Sequence, residues 1–228
     1  MAPRSARPVG IEVDAGRRVS GLLQMPVRAR CCYVLAHGAG AGMAHPFMVA
    51  VAEELAERGI ATLRFQFAYM EQGSKRPDPP ALAQAAVRAA VATAGELAPG
   101  LALIAGGKSF GGRMTSQAQA ASPLAGVRGL AFLGFPLHPA GKPSDDRARH
   151  LLEVKVPMLF LQGTRDALAD VGLLRPMVAG LGKRATLHLV DDADHSFHVP
   201  ARTGRKDPEI RREMLDALAA WADKVTTG

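Results

Sequence analysis

Three residues in this 228-residue chain have the types and setting for covalent catalysis: a serine between glycines, an acid past one apolar run and a histidine past another. The serine is Ser109 in Gly107-Lys108-Ser109-Phe110-Gly111, which follows the apolar run 101–105 and opens a helical segment through Gly112, Arg113 and Met114. A G-x-S-x-G pattern suits a sharp strand-to-helix turn. Glycine is needed where a side chain would strike neighbouring backbone, and the turn lifts the hydroxyl above the sheet at the positive end of the next helix. A serine hydroxyl is a weak nucleophile and needs a base, which in turn needs an orienting partner. Asp166, in Gly163-Thr164-Arg165-Asp166, follows the buried-looking run 157–162, and His195, in Asp191-Asp192-Ala193-Asp194-His195, follows the run 185–190. His195 would remove the Ser109 proton, while Asp166 would hold the imidazole tautomer and stabilise its charged form.

Taken singly, each member has a plainer reading. Asp166 also suits the N-cap of the helical segment after it, a common role for aspartate; Asp170 is expected to lie on that helix already. His195 and His198 stand three apart beside carboxylates, but no further ligand spacing supports a metal site, so neither a metal nor an organic cofactor is expected. His195 is preferred as the base because it is nearer the strand end. Gly107-Lys108-Ser109 also resembles the end of a phosphate-binding loop, yet the glycine required five residues earlier is Ala102. What the three share is their order, Ser109 then Asp166 then His195. That order separates an α/β-sheet hydrolase from the other two main serine-triad folds.

A second glycine loop, His37-Gly38-Ala39-Gly40-Ala41-Gly42-Met43, follows the run 31–36. It fails as a dinucleotide fingerprint, because the sixth position is Met43 counted from Gly38 and His45 counted from Gly40. The next strand region also reads Arg64-Phe65-Gln66-Phe67, with no ribose-binding acid at its end. The loop is instead placed to supply one oxyanion-hole N–H. Ala39 is the expected donor with Gly40 next, and Phe110, after the nucleophile, is the second donor. His37 is expected to shape the loop. Lys108 and Arg113 flank the nucleophile and admit two readings, attraction of an anionic substrate or simple solvent exposure.

These residues must be held by alternating strands and helices. Apolar, β-rich runs recur at 31–36, 60–67, 101–105, 129–135, 157–162 and 185–190, several of them continuous, as parallel strands covered on both faces require. Between them, Ala83, Ala86, Val87, Ala90, Val91, Ala94 and Leu97 follow a helical period after Pro79-Pro80. A last helix from Asp207-Pro208 puts Ile210, Met214, Ala217, Leu218, Trp221 and Val225 on one face. Residues 11–13 and 19–24 suit an antiparallel hairpin at one sheet edge, within an N-terminal region 1–30. The expected fold class is α/β: a mostly parallel sheet with helices on both faces, one domain over 1–228 and ligands at the strands' carboxyl ends. The polar loops 73–80 and 139–145 are too short to divide domains, though 139–145 could rim the site.

Charge and composition narrow the function classes. Lys and Arg number 28 against 21 Asp and Glu, giving +7, but residues 1–30 hold six arginines against two acids and so carry +4 of it. With 5% aromatics there is no stacking series among the basic residues, so nucleic-acid binding is not expected. No apolar run reaches the roughly 18 residues of a membrane span, and no secretory pattern opens the chain, so a cytoplasmic location is expected. Cys31 and Cys32, the only cysteines, read as reduced core residues.

The chain resembles the α/β-hydrolase superfamily, and more narrowly its small, cap-less, dienelactone-hydrolase-like branch with relatives among animal testis-expressed and NSL-complex proteins. The resemblance is carried by HGAGAGMAHPF (37–47), RFQFAYMEQ (64–72), GGKSFGGRM (106–114), FLGFPLHPAGKP (132–143), QGTRD (162–166) and DADHSF (192–197). It implies Ser109, Asp166 and His195 as the triad and a shallow site without a large cap. The implied activity is hydrolysis of a small acyl substrate, an ester, thioester or similar compound, through an acyl-enzyme. Dienelactone hydrolases use cysteine where this chain has Ser109, so their substrate does not transfer. Gln66 and Ala68 stand where close relatives would have asparagine and proline. The alternative from another class is a non-catalytic interaction module that keeps the fold.

Overall fold

The computed structural model describes residues 5–227 and is built on one eight-stranded sheet in the order β1-β2-β4-β3-β5-β6-β7-β8. The strands are β1 (Arg7–Asp14), β2 (Arg17–Gln24), β3 (Cys31–Ala36), β4 (Ile60–Phe65), β5 (Ala102–Lys108), β6 (Val127–Leu133), β7 (Met158–Gly163) and β8 (Ala185–Val190). From β4 onward every pairing is parallel. The expected edge hairpin is present and longer than the apolar pattern suggests: β1 pairs antiparallel with β2 from Arg7↔Leu23 to Asp14↔Arg17, and β2 pairs antiparallel with β4.

Period-two alternation builds two cores from one strand. In β3, Cys31, Tyr33 and Leu35 face a layer made by α1 (Pro46–Glu57) and α6 (Asp207–Thr226), while Cys32, Val34 and Ala36 face the opposite layer. That second layer holds α3 (Pro80–Leu97), α4 (Phe110–Ala121), α5 (Val171–Gly180) and a 3₁₀ segment, Asp146–Glu153; a one-turn α2 (Ala68–Glu71) follows β4. All six β3 residues are buried, which is why its sequence is apolar without a break. Cys31 and Cys32 are free thiols in this core, and burial pushes their pKa up to about 11 and about 12. In α3 and α6 the expected stripes point inward: Ala83, Ala86, Val87, Ala90, Val91 and Ala94, and Ile210, Met214, Leu218 and Trp221.

Three differences between strand ends and the apolar pattern bear on the site. β5 runs on through Gly106 and Gly107 to Lys108, so the sheet delivers Ser109 directly. β4 stops at Phe65, and Phe67 instead donates its N–H to the His37 Nε2 (3.1 Å). β6 stops at Leu133 because Gly134 turns there with φ +73°. Among the described residues no helix is long and apolar enough to cross a membrane.

Candidate active site

The turn between β5 and α4 is strained at its centre. Ser109 has φ 49° and ψ −115°, a backbone state that costs a non-glycine residue of order 1–3 kcal/mol. It is held there by its own N–H donating to the Leu133 carbonyl (3.2 Å) and by the Arg113 N–H donating to the Ser109 carbonyl (3.1 Å). Both motif glycines are sterically required. A Cβ at Gly107 would stand 2.1 Å from the Ala36 carbonyl oxygen, and one at Gly111 would stand 2.5 Å from that of His37.

Loops after β7 and β8 bring the other two residues to this turn. His195 Nε2 lies 2.9 Å from Ser109 Oγ, and His195 Nδ1 lies 2.6 Å from Asp166 Oδ2. A carboxylate only accepts, so Nδ1 carries the proton and the Nε2 lone pair faces the serine O–H. The Asp166 side chain is wholly buried, with Oδ1 accepting from the Leu168 N–H (2.8 Å) and Oδ2 also accepting from Gln162 Nε2 (2.5 Å). The helix-cap reading of Asp166 is thereby displaced. The N-cap of α5 is Asp170, whose Oδ1 accepts from the Leu173 N–H (3.1 Å); placing Asp170 on the helix was one residue too far. His198 turns instead to Asp207 at the start of α6 (2.9 Å), which raises the His198 pKa through that hydrogen bond and charge.

The glycine loop after β3 is tied down by His37, as expected, and by Arg64, Gln66 and Tyr69, whose part the sequence did not disclose. His37 is fully buried; Nδ1 donates to the Gly38 carbonyl (2.7 Å), Nε2 accepts from Phe67, and burial holds its pKa below the ordinary value. Gln66 Oε1 accepts from the Met43 N–H (2.8 Å) while Arg64 Nη1 donates to the Met43 carbonyl (3.1 Å), so both sides of that residue are fixed from the end of β4. Gln66 is thus a brace of the loop. The Gly40 N–H is committed to Tyr69 Oη (3.0 Å), which removes it as the alternative oxyanion donor. Ala39 lines the cavity beside Ser109, and Phe110 is the first residue of α4, where a backbone N–H has no partner within its own helix.

The cavity over Ser109 is an open hollow of about 360 Å³. Phe47, Met48 and Leu168 give it apolar walls, and His45 and Ser196 complete its edge; the rim comes from these residues and not from the loop 139–145. Lys108 is half-buried and also lines the hollow. Its Nζ points inward, donating to the His195 carbonyl (2.5 Å) and lying 5.4 Å from the centre of the Phe197 ring. Arg113 is half-buried, its Nε without a hydrogen-bond partner, and burial together with Arg147 pushes its pKa down. A second serine–histidine contact, Ser116 Oγ to His150 Nε2 (2.8 Å), lies deeper in α4. Ser116 is fully buried, and among the described residues no acid is bonded to His150, whose pKa burial lowers to about 4.

A serine, a buried aspartate and a histidine, in that chain order and linked at the carboxyl edge of a mostly parallel sheet, are the arrangement of the α/β-hydrolase fold. Residues 29–223 match the alpha/beta hydrolase domain family, and the chain belongs to it. The fold is also that of a lidless α/β serine hydrolase from Xanthomonas campestris (20% identity, 96% of each chain, TM-score 0.74). It is similar to a dienelactone hydrolase from Anabaena variabilis (23% identity, 99% of this chain and 97% of that one, TM-score 0.75). A third similar structure is the esterase domain of a Rhodothermus marinus protein (17% identity, 97% and 99%, TM-score 0.74). As in the first of these, the described residues form no large cap over the sheet's carboxyl edge.

Proposed function

We propose that the protein is a serine hydrolase that cleaves a small carboxylic ester, thioester or related acyl compound, with Ser109, His195 and Asp166 as its catalytic residues. The observation that carries this reading is the unbroken link Asp166–His195–Ser109, with bonds of 2.6 and 2.9 Å, ending on a serine held at positive φ. His195 Nε2 takes the hydroxyl proton as Ser109 Oγ attacks the acyl carbon, and Asp166 stabilises the imidazolium that forms. The oxyanion then faces the N–H groups of Ala39 and Phe110. Collapse transfers the Nε2 proton to the leaving group and leaves the acyl group on Ser109. Water, deprotonated by His195, attacks the acyl-enzyme and releases the acid. Every step uses groups of this chain and water. The open, apolar-walled hollow supports a small or flexible acyl group.

Treatment with a fluorophosphonate probe tests the reading. Wild type is expected to be labelled and Ser109→Ala is not. A correctly folded wild type that stays unlabelled would make the chain an interaction module on a hydrolase scaffold instead.

A further inference from the structure

Lys108 sits where three parts of the site meet. It ends β5 immediately before Ser109, and its stem packs on the glycine loop, since a Cβ at Gly38 would stand 3.4 Å from Lys108 Cγ. Its ammonium donates to the main-chain carbonyl of His195 (2.5 Å) and faces the Phe197 ring two residues further on. The turn after β6 leaves room for it: a Cβ at Gly134 would come within 3.0 Å of Nζ, and Gly134 holds φ +73°. The segment that Lys108 grips is otherwise a loop with its own strain, because Phe197 has φ 62° and Asp194 Oδ1 accepts from the N–H groups of Ser196 and His198 (2.7 and 2.9 Å). Lys108 is half-buried at the wall of the hollow, and a partly desolvated ammonium is costly unless it is used.

Resting on the hydrolase reading above, we propose that Lys108 is a positioning residue, whose ammonium clamps the His195 main chain to the strand that carries Ser109 and so fixes the Nε2-to-Oγ geometry. The clamp does not touch the reacting atoms. Its strength follows its charge, since a charge-assisted bond to a carbonyl and a cation over an aromatic face both weaken on deprotonation. Burial lowers the Lys108 pKa to about 8, against the opposing pull of Asp166 and Asp194, which with His195 are the ionisable groups facing it. The clamp is therefore charged below that pH and neutral above it.

The test compares wild type with Lys108→Met and Lys108→Arg in the rate of fluorophosphonate labelling from pH 6 to 10. The His195 Nδ1–H resonance is followed by proton NMR in parallel, with thermal unfolding as the control for folding. Displacing a base by about 1 Å costs about 100-fold, so Lys108→Met is expected to label ~10- to 100-fold more slowly at pH 7. Wild-type labelling is expected to decline above pH 8, Lys108→Met to show no such decline, and Lys108→Arg to keep its rate through that range. The Nδ1–H resonance should broaden or vanish in Lys108→Met and persist in Lys108→Arg. A folded Lys108→Met that labels within about threefold of wild type overturns the proposal, as does a slower rate with the alkaline decline intact. Should wild type itself resist labelling, the hydrolase reading fails while the resonance still decides the clamp: unchanged in both variants, it overturns the clamp, and lost only in Lys108→Met, it supports it.

Discussion

Replacing Asp166 by asparagine separates shape from charge at the buried end of the link. The wild-type carboxylate receives three hydrogen bonds, from the Leu168 N–H on Oδ1 and from Gln162 Nε2 and His195 Nδ1 on Oδ2. Asparagine keeps one acceptor. With its oxygen on the Leu168 side, the new NH₂ faces two donors. Gln162 can relieve its share by turning its amide over, because its own Oε1 is buried and unpartnered in the wild type and would then accept from asparagine. His195 can relieve its share only by moving its proton from Nδ1 to Nε2. The ring then donates towards Ser109 Oγ and cannot receive its proton.

The fold should therefore survive while the chemistry fails. Where a triad aspartate becomes asparagine with geometry intact, the loss is about 10⁴-fold, which at 1.36 kcal/mol per decade is about 5.5 kcal/mol of transition-state stabilisation. The assay is the steady-state rate on a short-chain p-nitrophenyl ester, with the fluorophosphonate labelling rate measured beside it. Thermal unfolding should shift by only a few degrees. A variant that keeps its fold and labels within tenfold of wild type would refute both the tautomer reasoning and the place given to Asp166.

Three further outcomes follow from named contacts. Ser109→Gly should abolish labelling yet raise Tm by about 2–4 °C for each kcal/mol of strain released at φ 49°, as read by calorimetry; an unchanged or lower Tm would count against stored strain at the turn. Gly107→Ala places a Cβ 2.1 Å from the Ala36 carbonyl oxygen at φ +146°, with backbone on the other side of the clash, and is expected to give no soluble folded protein on expression. His198→Ala should leave labelling within about twofold of wild type. Because pairing with Asp207 raises the folded His198 pKa and lowers that of Asp207, the pair stabilises most with histidine charged and its contribution is lost as pH rises through the folded His198 pKa. The contribution is likewise lost as pH falls through the folded Asp207 pKa, so Tm curves of wild type and His198→Ala should differ most between the two titrations and converge on the alkaline and strongly acid sides.

How far the sequence could be read depends on whether the determining contacts are local. Strand β3 was legible to the residue, because a strand covered on both faces must be apolar throughout, and polar or glycine residues bound it. Strand β5 was not: Gly106 and Gly107 read as loop, yet they are extended so that the backbones of Ala131 and Ala36 can close to distances no side chain permits. Ser109 announced itself because the strained turn requires glycine two residues to either side of it. Asp166 and His195 were legible by position, one just past β7 and one just past β8, and through their order along the chain. Which aspartate caps α5 was decided by how the turn from Gly163 closes, with the Arg165 N–H on the Ala193 carbonyl (2.9 Å) and the Ala169 N–H on the Asp166 carbonyl (3.1 Å).

What stayed hidden were braces that cross the sheet edge. Tyr69 reaches Gly40, Gln66 reaches Met43 and Lys108 reaches His195, partners 29, 23 and 87 residues away in sequence. None of these side chains is required by its own element, so no periodicity or turn rule marks it. Each becomes meaningful only when the parallel register sets the ends of β3, β4 and β5 side by side, Ala36 against Phe65 and against Gly107. The hydrogen-bonded serine, aspartate and histidine were therefore readable from local chemistry, while the residues that hold them in place depended on the assembled sheet. A lysine beside a nucleophilic serine gives no sign in sequence of whether it meets solvent, a substrate or the loop that bears the base. The glycine at 134, which leaves the space its ammonium fills, becomes legible as such only once β6 and the His195 loop are assembled beside it.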